Sequence, residues 1–169
     1  MPQETLHQPV KIMFVCLGNI CRSPLAEGVF RHLVQREGLD KQFHIASSGT
    51  GNWHVGEPPD RRMIKTAARH GIDLSKQRAQ HFKARFMDEY DLILGMDQSN
   101  LSNILMITGA GDRLDQDVQK VRLFRDYDPI PGNGEVPDPY YGGDQGFEEV
   151  FQMVLRTNTA LLKEFTSKK

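Results

Sequence analysis

Residues 11–24 read KIMFVCLGNICRSP, and the reading of this stretch decides the fold. Lys11–Val15 is a short apolar run of the kind that forms a buried strand. From Pro24 to Arg36, Leu25, Val29 and Leu33 fall on one helical stripe with Phe30 and Val34. Ser23 is the expected N-cap, Pro24 the first helical residue and Gly38 the stop. Between strand and helix lies Cys16-Leu17-Gly18-Asn19-Ile20-Cys21-Arg22-Ser23. Free N–H groups at a helix N-terminus form an anion site. Gly18 and Asn19 tolerate positive φ, so the loop can curl with its N–H groups inward. Arg22 adds a planar fork that grips two phosphate oxygens. The same positive field favours a thiolate at Cys16, and a thiolate beneath a bound phosphate is placed to attack phosphorus. Ser23 can offer its hydroxyl to the sulfur and help it leave in a second step. The plainer alternative is a buried cysteine that closes a strand before a routinely capped helix. The agreement of strand, turn residues, arginine, cap and proline favours the phosphate loop.

Outward from this loop, apolar runs alternate with helical patterns. Phe43–Ser47 reads as a second strand, and Gly49–Pro59 as a Gly/Pro-rich loop. Asp60–His70 reads as a helix with Met63, Ile64, Ala67 and Ala68 inward, ended by Gly71. Phe82, Phe86 and Tyr90 suggest a short helical piece. Asp91–Met96 is a third strand, followed by a helix from about Gln98 to Thr108, and Val121–Phe124 is a fourth strand. Residues 126–146 hold Pro129, Pro131, Pro137 and Pro139 and form a long loop. The last helix spans about Gln145 to Phe165, with Phe147, Val150, Phe151, Val154, Leu161 and Leu162 in helical period. The alternation predicts one three-layer α/β/α domain: a parallel sheet of four strands with helices on both faces. Its boundaries are residues 11–166, with residues 1–10 a flexible N-terminal segment. Ligands of such folds bind at the carboxyl ends of the strands, which points to loops 16–23, 47–59, 96–99 and 125–146. A loop as long as the last is expected to be functional.

Composition narrows the function. The 169 residues carry 21 Lys and Arg against 22 Asp and Glu, so neither nucleic acid nor an anionic membrane is indicated as partner. The longest apolar run, Ile12–Leu17, is too short to span a bilayer. Residues 1–10 do not have the pattern of a targeting segment, and a cytoplasmic protein with reduced thiols is expected. Two cysteines rule out a disulfide scaffold and a four-cysteine zinc site. The histidines show no ligand spacing, so no metal and no cofactor is implied. Gly109 and Gly111 form only a weak glycine pair after a helix, without the pattern of a nucleotide site.

Cleavage of a phosphate ester requires a proton on the leaving oxygen, and a carboxylic acid must supply it. Asp138 lies in the long loop after the fourth strand, stiffened by Pro137 and Pro139. Taken alone it could be a turn residue. Asp128, also followed by proline, is the rival. Cys21 lies five residues after Cys16 in the same loop, where a disulfide between them would reversibly block the nucleophile. The alternative for Cys21 is a small apolar residue packing under the loop.

Cys16-LGNIC-Arg22-Ser23 near the start, with Asp138-Pro139-Tyr140-Tyr141 far downstream, resembles the low-molecular-weight protein tyrosine phosphatases. The two motifs and the elements between them cover nearly the whole chain. The resemblance implies a cysteine-dependent phosphomonoester hydrolase that dephosphorylates phosphotyrosine in proteins through a phosphocysteine on Cys16. Asp138 would serve as general acid and then as general base. Leu17, Gly18, Asn19, Ile20 and Cys21 would supply the phosphate loop. Asn19, Ser23 and Ser47 match a network that holds its curl. Lys76 stands where the family carries a histidine in that network, while His70 falls earlier. Tyr140 and Tyr141 would form one aromatic wall of the pocket and Trp53 the opposite one, which favours a phenyl ring. Ile20 matches the tyrosine-specific members, whereas relatives acting on phosphoarginine carry threonine there. Asp97 and Asn100 match the family's Met-Asp-x-Ser-Asn run and are expected to cap a helix and support the site. Arsenate reductases on the same fold use two further cysteines near mid-chain, and none follows Cys21 here. Phosphate and vanadate would inhibit, and a monomer or weak self-association is expected.

Overall fold

The computed structural model describes residues 8–109 and 119–167. The strands are β1 (Val10–Cys16), β2 (Phe43–Gly49), β3 (Leu92–Gly95) and β4 (Val121–Leu123). All pair in parallel, in the order β2-β1-β3-β4. β1 is central: its Phe14 lies opposite Ser47 on one side and Leu94 on the other. Alternate residues of a strand point to opposite faces. Ile12, Phe14 and Cys16 therefore enter one apolar cluster, and Met13 and Val15 the other.

The first face is covered by α1 (Arg22–Arg36), α2 (Arg61–Arg69) and α5 (Asp144–Thr166). Phe14 meets Phe30 of α1 and Phe124 edge-on, at centroid distances of 6.1 and 5.6 Å. The second face is covered by α3 (Phe86–Glu89) and α4 (Gln98–Thr108), with Phe82, Phe86, Met87 and Ile104 packed on Met13 and Val15. The expected three-layer α/β/α arrangement on a four-stranded parallel sheet is thus observed. No described helix is long and apolar enough to cross a membrane.

Several boundaries shift for physical reasons. α1 begins at Arg22, and its N-cap is Cys21 with no side-chain cap, so Ser23 is not the capping residue. The Ser23 hydroxyl is occupied by the site instead. Pro24 remains acceptable because first-turn N–H groups lack helical partners anyway. In α2 the fourth inward position expected at Ala68 is exposed and Thr66 is buried in its place; the Thr66 hydroxyl is satisfied by the Arg62 carbonyl at 2.8 Å. β2 runs on to Gly49, beyond the expected end at Ser47, and so reaches the phosphate loop. The fourth strand stops at Leu123, and Phe124–Tyr127 turns as a short 3-10 helix. Of the segment expected to be flexible, residues 1–7 lie outside the described residues, and Val10 already pairs with Phe43. Gly111 also lies outside them, while Gly109 closes α4 at φ +66°.

Candidate active site

β1 ends at Cys16, and the chain curls through Leu17–Cys21 before α1 starts. The curl needs one left-handed residue, and Asn19 supplies it at φ +56°. Its buried side chain is spent entirely on holding the turn. Asn19 Nδ2 donates to Ser23 Oγ at 2.7 Å and to Ser47 Oγ at 2.9 Å. Its Oδ1 accepts from the Gln80 backbone N–H at 3.0 Å. Ser47 Oγ donates to Glu27 Oε1 at 2.7 Å, and Gln80 Nε2 donates to the Ser47 carbonyl at 2.9 Å. The bracing position expected at Lys76 is therefore filled by Gln80, four residues later. Its segment pairs with the end of β2 through Gly49. Gly49 matters for its missing side chain: a Cβ there would stand 2.7 Å from the Leu17 carbonyl oxygen, inside the curl.

The Cys16 sulfur sits at the mouth of this curl. Asn19 N–H donates to Sγ at 3.3 Å, and Ser23 Oγ lies 3.0 Å from it. Ser23 Oγ accepts from Asn19 Nδ2, so its own proton is free to turn to the sulfur or to the Ser48 carbonyl at 3.4 Å.

Arg22 is almost fully buried beside the sulfur. Its Nη1 is bound by Asp97 Oδ2 at 2.7 Å and by the Val136 carbonyl at 3.1 Å. Burial by itself would push the guanidinium down. The Cys16 sulfur, Asp97 and Asp138 outweigh that and hold it above its ordinary value. Nη2 is 3.7 Å from Asp138 Oδ2. Asp97 and Asn100 form the capping box that starts α4, as expected, so one carboxylate caps a helix and orients the arginine.

Cys16, Ile20, Cys21 and Arg22 line the floor of a pocket of about 330 Å³. Trp53, His54, Asp138, Tyr140 and Tyr141 also line it. The walls are open: Trp53 is 69% and Tyr141 92% exposed. The Trp53 ring packs against Gly51, where a Cβ would fall 1.9 Å from it. The Tyr140 and Tyr141 rings meet edge-to-face at 5.0 Å. Asp138 Oδ1 accepts from the Tyr140 N–H at 3.0 Å, leaving Oδ2 toward Arg22.

Asp128 belongs elsewhere. Its buried carboxylate takes hydrogen bonds from Arg125 Nε at 2.9 Å and from Arg156 Nε and Nη2 at 2.8 and 2.9 Å. Burial opposes ionisation, but these two arginines and the Ile130 N–H hold the carboxyl well below the usual carboxylate range. Both cysteines are free thiols. Burial, reinforced by Asp60 and Cys16, pushes the Cys21 thiol far up, so it stays protonated. Among the described residues, no group of three or more His, Cys, Asp or Glu is disposed to hold a metal ion.

Four contributors carry no signal that sequence reasoning used: Glu27, Gly49, His54 and Gln80. His54 follows Trp53 directly and could have been suspected. Its ring packs over Gly18, and its Nδ1 is bound to Glu57 Oε2 at 2.6 Å. Glu27 lies on α1 one turn after Ser23, and nothing in the helical pattern marks it.

Residues 11–169 match the low molecular weight phosphotyrosine protein phosphatase family. The low molecular weight phosphotyrosine protein phosphatase of Saccharomyces cerevisiae is 38% identical over 164 residues, which is 95% of this chain and 98% of that protein. The crystal structure of YfkJ from Bacillus subtilis superposes with a TM-score of 0.85 at 33% identity, covering 95% of this chain and 97% of that one. The Drosophila arginine phosphatase DARP reaches the same TM-score at 28% identity, covering 95% and 100%. With that loop at the end of its first strand and relatives matched along its length, the chain belongs to the low molecular weight phosphotyrosine protein phosphatase family, whose members are protein tyrosine phosphatases.

Proposed function

We propose that the protein hydrolyses phosphotyrosine in proteins through a phosphocysteine on Cys16. The Cys16 thiolate attacks phosphorus, and the bond from phosphorus to the tyrosyl oxygen breaks. Asp138 delivers its proton to that oxygen. Arg22 and the loop N–H groups take up the charge on the equatorial phosphoryl oxygens. Water then attacks the phosphocysteine and Asp138 takes its proton. The sulfur leaves as a thiolate that the Ser23 hydroxyl stabilises, and inorganic phosphate is released. The observation that carries this reading is the sulfur itself, with Ser23 Oγ at 3.0 Å and Asn19 N at 3.3 Å, on the floor of an aromatic-walled pocket.

The likeness to an arginine phosphatase makes phosphoarginine the second reading. Ile20 on the pocket floor and the exposed rings of Trp53, Tyr140 and Tyr141 favour a flat apolar phenyl group over a guanidinium. An assay of phosphotyrosine, phosphoarginine and phosphoserine peptides in parallel, with Cys16→Ser as control, tests both. Turnover of phosphotyrosine alone is expected, and Cys16→Ser should lose it. Preferred turnover of phosphoarginine would overturn the assignment. Phosphate and vanadate are competitive inhibitors in this scheme, vanadate as a mimic of five-coordinate phosphorus.

The same reading includes a guard on the nucleophile. Peroxide oxidises Cys16 to a sulfenic acid and is itself reduced to water; Cys21, protonated at rest, gives up its proton as its sulfur attacks, and water leaves to give a Cys16–Cys21 disulfide. A thiol restores both cysteines. The protein acts as a monomer or weakly self-associating species in the reducing cytoplasm.

A further inference from the structure

The loop that carries Asp138 is gripped from outside the pocket by one arginine. Arg62, in the first turn of α2, does not line the pocket. Its Nη2 donates to the Tyr140 carbonyl at 2.8 Å, and its Nη1 to the Gly142 carbonyl at 3.3 Å. Its Nε and Nη2 also bind the two oxygens of Asp60, each at 3.2 Å. The guanidinium stands 4.6 Å from the centre of the Phe147 ring and 5.6 Å from that of Tyr140. Asp60 in turn donates its N–H to the Ile20 carbonyl at 2.7 Å, inside the phosphate loop. A continuous path therefore runs from Ile20 through Asp60 and Arg62 to Tyr140, whose N–H holds the Asp138 carboxylate.

Among the described residues, no other hydrogen bond or ion pair reaches Tyr140, Tyr141 or Gly142 from outside their own turn. Tyr140, Tyr141 and Gly142 are exposed, and the turn they form closes on itself through Gly142 N–H to the Pro139 carbonyl. Val136 and Pro139 anchor the chain close to Asp138, but the turn that follows is exposed, and proton delivery needs the acid within hydrogen-bond reach of the leaving oxygen. A planar five-donor fork can meet two carbonyls and a carboxylate at once, while an ammonium cannot hold the same plane or stack.

We propose that Arg62 is a positioning residue for the reaction: it clamps the Tyr140–Gly142 segment to the phosphate loop and so fixes Asp138 over the leaving oxygen. This rests on Asp138 being the acid. The clamp predicts a defect confined to proton delivery, which a loss of folded protein does not mimic.

The test is kcat/KM across aryl phosphates of graded leaving-group basicity. Arg62→Ala is expected to lower it about tenfold for phenyl phosphate and little for dinitrophenyl phosphate, which departs without a proton. A misfolded fraction scales all substrates equally and leaves the slope untouched. Arg62→Lys should show the same steepened slope, and in an Asp138→Ala background Arg62→Ala should steepen it no further. Vanadate affinity should stay within about twofold of the parent, because the phosphate loop is intact. An equal loss across all leaving groups, or a parental slope in Arg62→Lys, overturns the clamp. A parental slope in Asp138→Ala instead overturns the acid assignment on which it stands.

Discussion

Asn19 shows how much one side chain can carry. It occupies a left-handed backbone position, and its amide binds Ser23, Ser47 and the Gln80 backbone. Asn19→Ala should cost about 2–4 kcal/mol, from the strained φ together with three orphaned partners. The expected readings are a lower Tm and a kcat drop exceeding that of a stability-matched core variant. Asp138→Ala should lower kcat/KM by about 10²-fold for poor leaving groups and far less for good ones. Asp128 makes a different prediction. Its carboxyl is held below its ordinary value in the folded state, so the folded protein binds fewer protons there than the unfolded chain. The stabilisation is fully present above the unfolded value of 3.8 and is lost as pH falls toward the lower folded value. Asp128→Asn should therefore show a urea midpoint that falls less than that of the parent between pH 5 and 3, the remainder coming from other carboxyls held low in the fold, such as Asp60 and Asp73. It should also be less stable near neutrality, since removing one member of a buried pair costs about 3–5 kcal/mol.

At the scale of elements, α4 couples stability to the site. Asp97 caps the helix through the Asn100 N–H and holds Arg22 through its other oxygen. Asp97→Ser keeps a good cap and removes the charge, while Asp97→Ala removes both. The two should share the same weakened phosphate affinity, with Asp97→Ala lower in stability by a further 1 kcal/mol or about that. Equal Tm values for the two variants would show that the cap contributes nothing. Elements with strong patterns were legible: α4 begins and ends where Gln98–Thr108 was expected, and α5 differs by one residue at each end. The start of α1 was not, because Ser23 carries the signature of a cap while its hydroxyl serves the sulfur. The bracing segment around Gln80 was not legible either. It has no period of its own, and it is placed by backbone bonds to Gly49, Gly56 and Glu57.

At the scale of the whole molecule, the order of the sheet explains why the site could be located in advance. β1 is flanked by β2 and β3, so three strand ends converge beside one loop. Apolar runs and Gly/Pro punctuation reveal such alternation, but they do not reveal which distant residues meet. The Arg22 contact with Val136 and the Arg62 contact with Tyr140 depend on where a long loop folds back. Ligand binding should report on that assembly. Inorganic phosphate at about one hundred times its inhibition constant should add roughly 2.7 kcal/mol of stability, raising Tm by several degrees. Arg22→Met should abolish the shift.

The Arg22 fork also has a consequence for synthesis. One of its nitrogens is bound to the Val136 carbonyl, 114 positions downstream, and Asp138 follows two residues later. The nucleophile leaves the ribosome first, while its charge partner is oriented only after Val136 has emerged. A nascent chain halted before Val136 therefore carries the cysteine without the pocket, and competence arrives late in translation. Ribosome-bound intermediates of graded length should acquire vanadate binding in a single late step.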